Sequence, residues 1–141
     1  MKDTLCTAVG IAAGVCSWLA GGFDTPILAL VLCMGVDYVT GLIVAGVFHT
    51  SPKTRGGGLD SQVGWKGLAR KFVTLLIVVV ANLADMLLEL HYIRDAVIAA
   101  FCVNECISIL ENAGLMGIRI PKVLTAALDK LSEEGNDDES I

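Results

Sequence analysis

Acidic and amide side chains stand inside stretches of this chain that are otherwise apolar. Asp37 lies near the middle of Pro26–Phe48, and Asn82, Asp85 and Glu89 follow the apolar run Phe72–Ala84. Asn104, Glu105 and Ser108 interrupt a further apolar segment and continue into Glu111 and Asn112. Asn82, Asp85 and Glu89 are three and four residues apart, so on a helix they share one face. Asn104, Glu105, Ser108, Glu111 and Asn112 form a second polar stripe of the same kind. Inside a bilayer each ionised group near the midplane costs about 2.5–3.5 kcal/mol on insertion scales. Such groups need partners in protein or water. They either line an aqueous lesion in an oligomer, or pair within one subunit, with Arg94 as one counter-ion, or stay protonated.

The spacing does not suggest catalysis. There is no Ser-His-Asp set and no HExxH, and Gly56-Gly57-Gly58 lacks the lysine and hydroxyl of a phosphate-binding loop. Cys6, Cys16, Cys33, Cys102 and Cys106 contain no CxxC pair, and only 2 histidines accompany them. They read as small, reduced, buried residues, and no metal or other cofactor is expected.

A second set of residues is small. Gly10, Gly14, Ser17 and Gly21 make a ridge on one helix face, and Cys33, Asp37, Gly41 and Ala45 make another. Ridges of this kind let helix backbones approach closely in lipid. A third set is basic: Lys53, Arg55, Lys66, Arg70 and Lys71 cluster mid-chain, where they would fix topology and touch anionic lipid.

The elements that carry these residues read as membrane helices. The chain has 141 residues, 55% hydrophobic and 18% charged, with the apolar residues in long runs. That leaves too little polar surface to coat a small water-soluble body. The expected fold class is an all-α membrane protein with four transmembrane helices, over residues 5–23, 26–48, 72–90 and 92–110. Each span is about 19 to 23 residues, enough to cross a hydrocarbon core of roughly 30 Å. A three-span arrangement, with the last segment lying in the interface, is the alternative.

Residues 49–71 then form a basic loop, and residues 112–132 carry a C-terminal amphipathic helix with Val123, Leu124, Ala127, Leu128 and Leu131 on one face. The acidic stretch 133–141 reads as disordered. The five bases between the second and third spans place that loop, and with it both termini, on the cytoplasmic side. The net charge of −5 comes largely from the acidic C-terminal stretch, and no basic, aromatic-laced surface suggests nucleic-acid binding.

Three stretches, in order, carry a family resemblance. They are Asp37-Tyr38-Val39-Thr40-Gly41 with Ala45; Ser61, Gly64, Lys66-Gly67 and Arg70-Lys71 leading into Ala81-Asn82-Leu83-Ala84-Asp85; and Asn104 through Asn112, then Gly114, Gly117 and Ile120-Pro121. The sequence resembles the phage lysis and toxin-secretion holins of Gram-positive bacteria and their phages, which include the clostridial toxin-release holins. It departs from them in a glycine-rich insertion at Thr54–Gly58 and in its acidic tail. The resemblance implies a non-enzymatic protein that oligomerises with itself in the bacterial cytoplasmic membrane. The lesions it forms would let a cell-wall hydrolase (an endolysin) or a toxin cross. An antiholin that restrains a partner holin, or a small ion channel or transporter, are the competing functions.

Overall fold

A computed structural model describes residues 1–137 as five helices with no strand among them. Helix α1 covers Lys2–Leu19, α2 Thr25–Ile43, α3 Ser61–Leu88, α4 Ile93–Leu115 and α5 Lys122–Asp137. The last turn of α2 widens into a π-helical turn, Val44–Phe48, which ends at His49 in the left-handed region, φ 53°.

Local chemistry sets most boundaries. Gly21 and Gly22, both at positive φ, close α1 and turn the chain into α2. Asp24 caps α2 by accepting the Ile27 N–H on Oδ1, and Pro26 occupies the first turn. Asp60 caps α3, accepting from the N–H groups of Gln62 and Val63.

Several boundaries depart from expectation. The third helix starts at Ser61, so the second half of the supposed loop 49–71 is helical and carries Lys66, Arg70 and Lys71. Asp60 is the reason, because its carboxylate satisfies the first free N–H groups and lets the helix begin early. The fourth helix reaches Leu115. The last helix begins at Lys122 and runs to Asp137, beyond the expected end at 132. Ser132-Glu133-Glu134 contains no proline, and glutamate is a good helix former, so the ladder continues. Residues 138–141 of the supposed disordered tail lie outside the described residues.

The bundle is built on three seams with alternating steps of three and four residues. On α2 the seam is Ile27, Leu30, Met34, Asp37 and Gly41; on α3 it is Lys71, Leu75, Val78, Asn82 and Asp85; on α4 it is Arg94, Ile98, Phe101, Glu105, Ser108 and Asn112. The α3 and α4 seams are apolar in the middle and polar at both ends, and the α2 seam is apolar from Ile27 to Met34 and polar at Asp37. The apolar middles meet as one core of Ile27, Leu30, Met34, Val78 and Ile98, with Leu75, Val97, Phe101 and Cys102 against it. Helix α4 packs on both α2 and α3, and most extensively on α2.

The outside of the bundle is apolar as well. Val31, Leu32, Val36 and Val39 on α2, and Phe72, Val73, Leu76 and Val80 on α3, are exposed. Helix α1 buries no residue at all. A bundle with a small core and an apolar exterior is solvated by lipid, not water. Among the described residues two helices, Thr25–Phe48 and Ser61–Leu88, are long and apolar enough to cross a membrane. Lys2 and Asp3 dilute α1, and Arg94, Asp95, Glu105 and Glu111 dilute α4.

Candidate functional site

The polar ends of the seams gather into two layers. The inner layer is centred on Lys71. Its ammonium lies 2.8 Å from Asp37 Oδ2 on α2 and 2.5 Å from Glu105 Oε2 on α4. All three side chains are 12–14% exposed. Asn112 donates to Asp37 Oδ1 at 3.3 Å and to Thr40 Oγ1 at 3.0 Å, so the second Asp37 oxygen is also held.

The arrangement has a helical logic. Lys71 precedes the inward residues Leu75 and Val78 by four and seven, so its long side chain runs into the interior toward both acids. One ammonium donates to two carboxylates. Pulling one partner away from such a buried pair costs about 3–5 kcal/mol.

A cavity opens beside this trio toward the 49–60 loop. Tyr38, Gly41, Gly64, Gly67, Lys71 and Asn112 form its walls, and Ser51–Thr54 of the loop cover it. A more polar groove continues between α3 and α4, lined by Lys53, Arg70, Thr74, Asn104, Ser108 and Glu111 in addition to the trio.

The outer layer lies roughly 21 Å away, since Asp85 follows Lys71 by 14 residues. Here Arg94 is buried and acts as a clamp. Its Nη1 and Nη2 atoms meet the two Asp24 carboxylate oxygens at 2.8 Å each, in the bidentate geometry guanidinium favours. The same guanidinium donates to the carbonyls of Ala20 and Gly22 and to Asp95. Asn82 donates to the Leu19 carbonyl at 2.9 Å. The end of α1 is therefore held by polar contacts from α3 and α4, and the basic group sits where the helix dipole is negative.

Asp85 completes this layer. Tyr92, the residue before α4, offers no capping side chain. Asp85 of α3 caps α4 in its place, accepting the N–H of Ile93 at 3.0 Å and of Arg94 at 2.8 Å. Hydrogen bonding to Arg94 holds the Asp24 carboxyl below the usual carboxylate range, although desolvation opposes this.

The structure thus brings together Asp37 and Glu105 in one layer and Asn82 and Asp85 in the other. Glu89 is exposed at the C-cap of α3, in the left-handed region at φ 55°. Asn104 is exposed, and Ser108 is half-buried beside the inner trio. Gly41 faces Asn112, whereas Gly10 and Gly14 have nothing within 4 Å of where a Cβ would stand. Ser17 is half-buried.

Among the bases, Lys53, Arg55, Lys66 and Arg70 are exposed. Lys71 is not a surface base. It points inward because its position on α3 continues the Asn82–Asp85 seam toward the N-terminus by steps of four and three. Sequence reasoning missed this role although that spacing carried the signal. It also missed Asp24, whose place just before Thr25-Pro26 is a helix-start pattern.

A family model described as the bacteriophage holin family matches residues 14–133. The chain is 36% identical over 126 residues to an uncharacterized protein of Listeria innocua, covering 89% of this chain and 84% of that one. It is 30% identical over 136 residues to an uncharacterized protein of Clostridium perfringens, covering 94% and 95%. It is 34% identical over 103 residues to a protein of Bacillus phage phi105 named "Probable holin", covering 72% and 70%. No solved structure matches.

Proposed function

The chain belongs to the bacteriophage holin family, and from that premise we propose that it is a lesion-forming holin of the bacterial cytoplasmic membrane. Family membership makes it a non-enzymatic membrane protein with a holin-type role. In our reading α1, α2, α3 and α4 all span, both termini face the cytoplasm, α5 lies on the membrane surface, and the active form is a homo-oligomer.

The observation that carries the mechanism is the trio Asp37–Lys71–Glu105. Its charges are bonded inside one subunit, so a single chain can stay in lipid with its polar seams hidden. When α2, α3 and α4 part, the same carboxylates and ammonium exchange each other for water. Neighbouring subunits that open together would line an aqueous breach with Asp37, Glu105, Asn104 and Ser108. A cell-wall hydrolase, or a toxin, would cross through it. The barrier to opening is the loss of the buried pair, and the wetted polar lining offsets it once enough subunits open together.

Inducible expression in a bacterium tests this reading. An abrupt loss of membrane potential, with entry of a dye too large for ion channels, is expected once the protein accumulates. Steady growth at high membrane density would rule the reading out. Selective passage of small ions without dye entry would point to a channel, and delay of a partner's lysis with no toxicity alone to an antiholin.

A further inference from the structure

Three of the five cysteines come together where α2 meets α4. Cys33 lies on α2 four residues before Asp37, and Cys102 and Cys106 lie on α4 one turn apart. Cys33 Sγ and Cys106 Sγ are 4.0 Å apart, both half-buried, and Cys102 packs against the apolar core. Cys6 and Cys16 are exposed on α1, away from this group.

We infer that Cys33 and Cys106 form an oxidisable pair, and that a quinone dissolved in the membrane converts it to a disulfide that staples α2 to α4. A disulfide bond is about 2.05 Å long. The two sulfurs, 4.0 Å apart, need to close by roughly 2 Å to reach it. Cys102 and Cys106 share a helix, so a bond between them would distort α4 and join nothing new.

The step balances without further reagents. Two S–H bonds break and one S–S bond forms. The two electrons and two protons pass to the quinone, which leaves as the hydroquinone. The pair lies one turn from Asp37 and beside Glu105, and Cys33 stands within the apolar helix Thr25–Phe48. An oxidant that partitions into lipid reaches it, and a charged one held in water does not.

The staple has a consequence that rests on the lesion reading above. Helices α2 and α4 carry Asp37 and Glu105, and these helices must separate for the trio to open. Linking them four residues from Asp37 and one residue from Glu105 holds the subunit in its paired state.

The experiment uses the full chain in native membranes. Tetramethyl-1,4-benzoquinone serves as the probe, because its substituted ring positions suppress addition of thiols. Free thiols are then alkylated, and the digest is read by mass spectrometry. The expected product is a Cys33–Cys106 peptide lighter by two hydrogens, reversed by dithiothreitol. It is lost in Cys33→Ala and Cys106→Ala and kept in Cys102→Ala. Absence of that peptide in the wild-type chain, a link through Cys102, a link between chains, or equal conversion by aqueous ferricyanide overturns the inference. Dye leakage is measured in parallel. Leakage that falls to the uninduced level on oxidation, and returns on reduction, is expected. Unchanged leakage with full linkage overturns the staple. If the reduced chain never leaks, the lesion reading fails, while the mass result still decides whether the pair is oxidised.

Discussion

The ammonium of Lys71 lies 2.8 Å from the carboxylate of Asp37, and the two residues sit on helices that otherwise meet only sparingly. Helix α4 supplies the third member, Glu105, and with it the bulk of the packing. The ion trio therefore ties α3 to α2 across a gap that apolar side chains fill only near Leu30, Met34 and Val78. In lipid, where burial of apolar surface drives little association between helices, such a tie is a large part of what sets the arrangement.

Replacing Lys71 tests that tie. Lys71→Met leaves Asp37 and Glu105 facing each other with no cation between them. We expect a loss of about 3–5 kcal/mol in the stability of the folded subunit, read as a lower unfolding midpoint in detergent. Dye entry in cells should begin at lower protein density. The triple variant Lys71→Met, Asp37→Asn, Glu105→Gln removes all three charges and should recover most of the stability. If Lys71→Met unfolds at the wild-type midpoint, the trio does not hold the subunit closed.

The outer layer gives a separate measure. Asp85 caps α4 through two N–H groups that have no other side-chain partner. Asp85→Ala should cost about 1–3 kcal/mol, because a buried and a half-buried donor lose their acceptor. Asp85→Asn retains one carbonyl oxygen and should fall between. Amide hydrogen exchange at Ile93 and Arg94 locates the effect: both should exchange faster in Asp85→Ala while the inner layer stays protected.

A pH dependence follows from Asp24. Hydrogen bonding to Arg94 lowers its carboxyl pKa in the folded chain. A carboxylate with a depressed folded pKa adds stability above its unfolded value, near 3.9, and loses it as pH falls through the lower folded value. Asp24 is 45% exposed, so the contribution is screened and small. Unfolding midpoints in detergent should therefore decline more steeply below about pH 4 in the wild type than in Asp24→Asn. Parallel curves for the two proteins would show that the clamp adds no acid-sensitive stability.

The fold was readable where helix periodicity and start signals coincide. The apolar runs placed α2 and the core of α3, and the three-residue spacing of Asn82 and Asp85 marked one inward face. The early start of α3 was less visible, because Ser61–Arg70 is polar and reads as loop until Asp60 is recognised as its cap. The pairing of Asp37 with Lys71 and Glu105 depends on how three helices are registered against one another. Periodicity gives each seam separately and says nothing about which residues stand level. The same limit applied to the cysteines, whose convergence at Cys33 and Cys106 comes from the α2–α4 register alone.

The ridge on α1 separates the stability of one subunit from its assembly. Gly10 and Gly14 meet nothing within 4 Å of an added Cβ, and no residue of α1 is buried. Gly10→Leu with Gly14→Leu should therefore leave the unfolding midpoint of the single chain unchanged or slightly raised, since glycine disfavours helix interiors by about 1 kcal/mol each. If this ridge is where a second copy approaches, bulky side chains there push the helices apart and prevent close backbone contact. Crosslinking in membranes should then show fewer oligomers, and dye entry should be delayed or absent at equal expression. Normal oligomers and normal timing in the double variant would remove α1 from the interface and leave it as a lipid-facing anchor held at its end by Arg94 and Asn82.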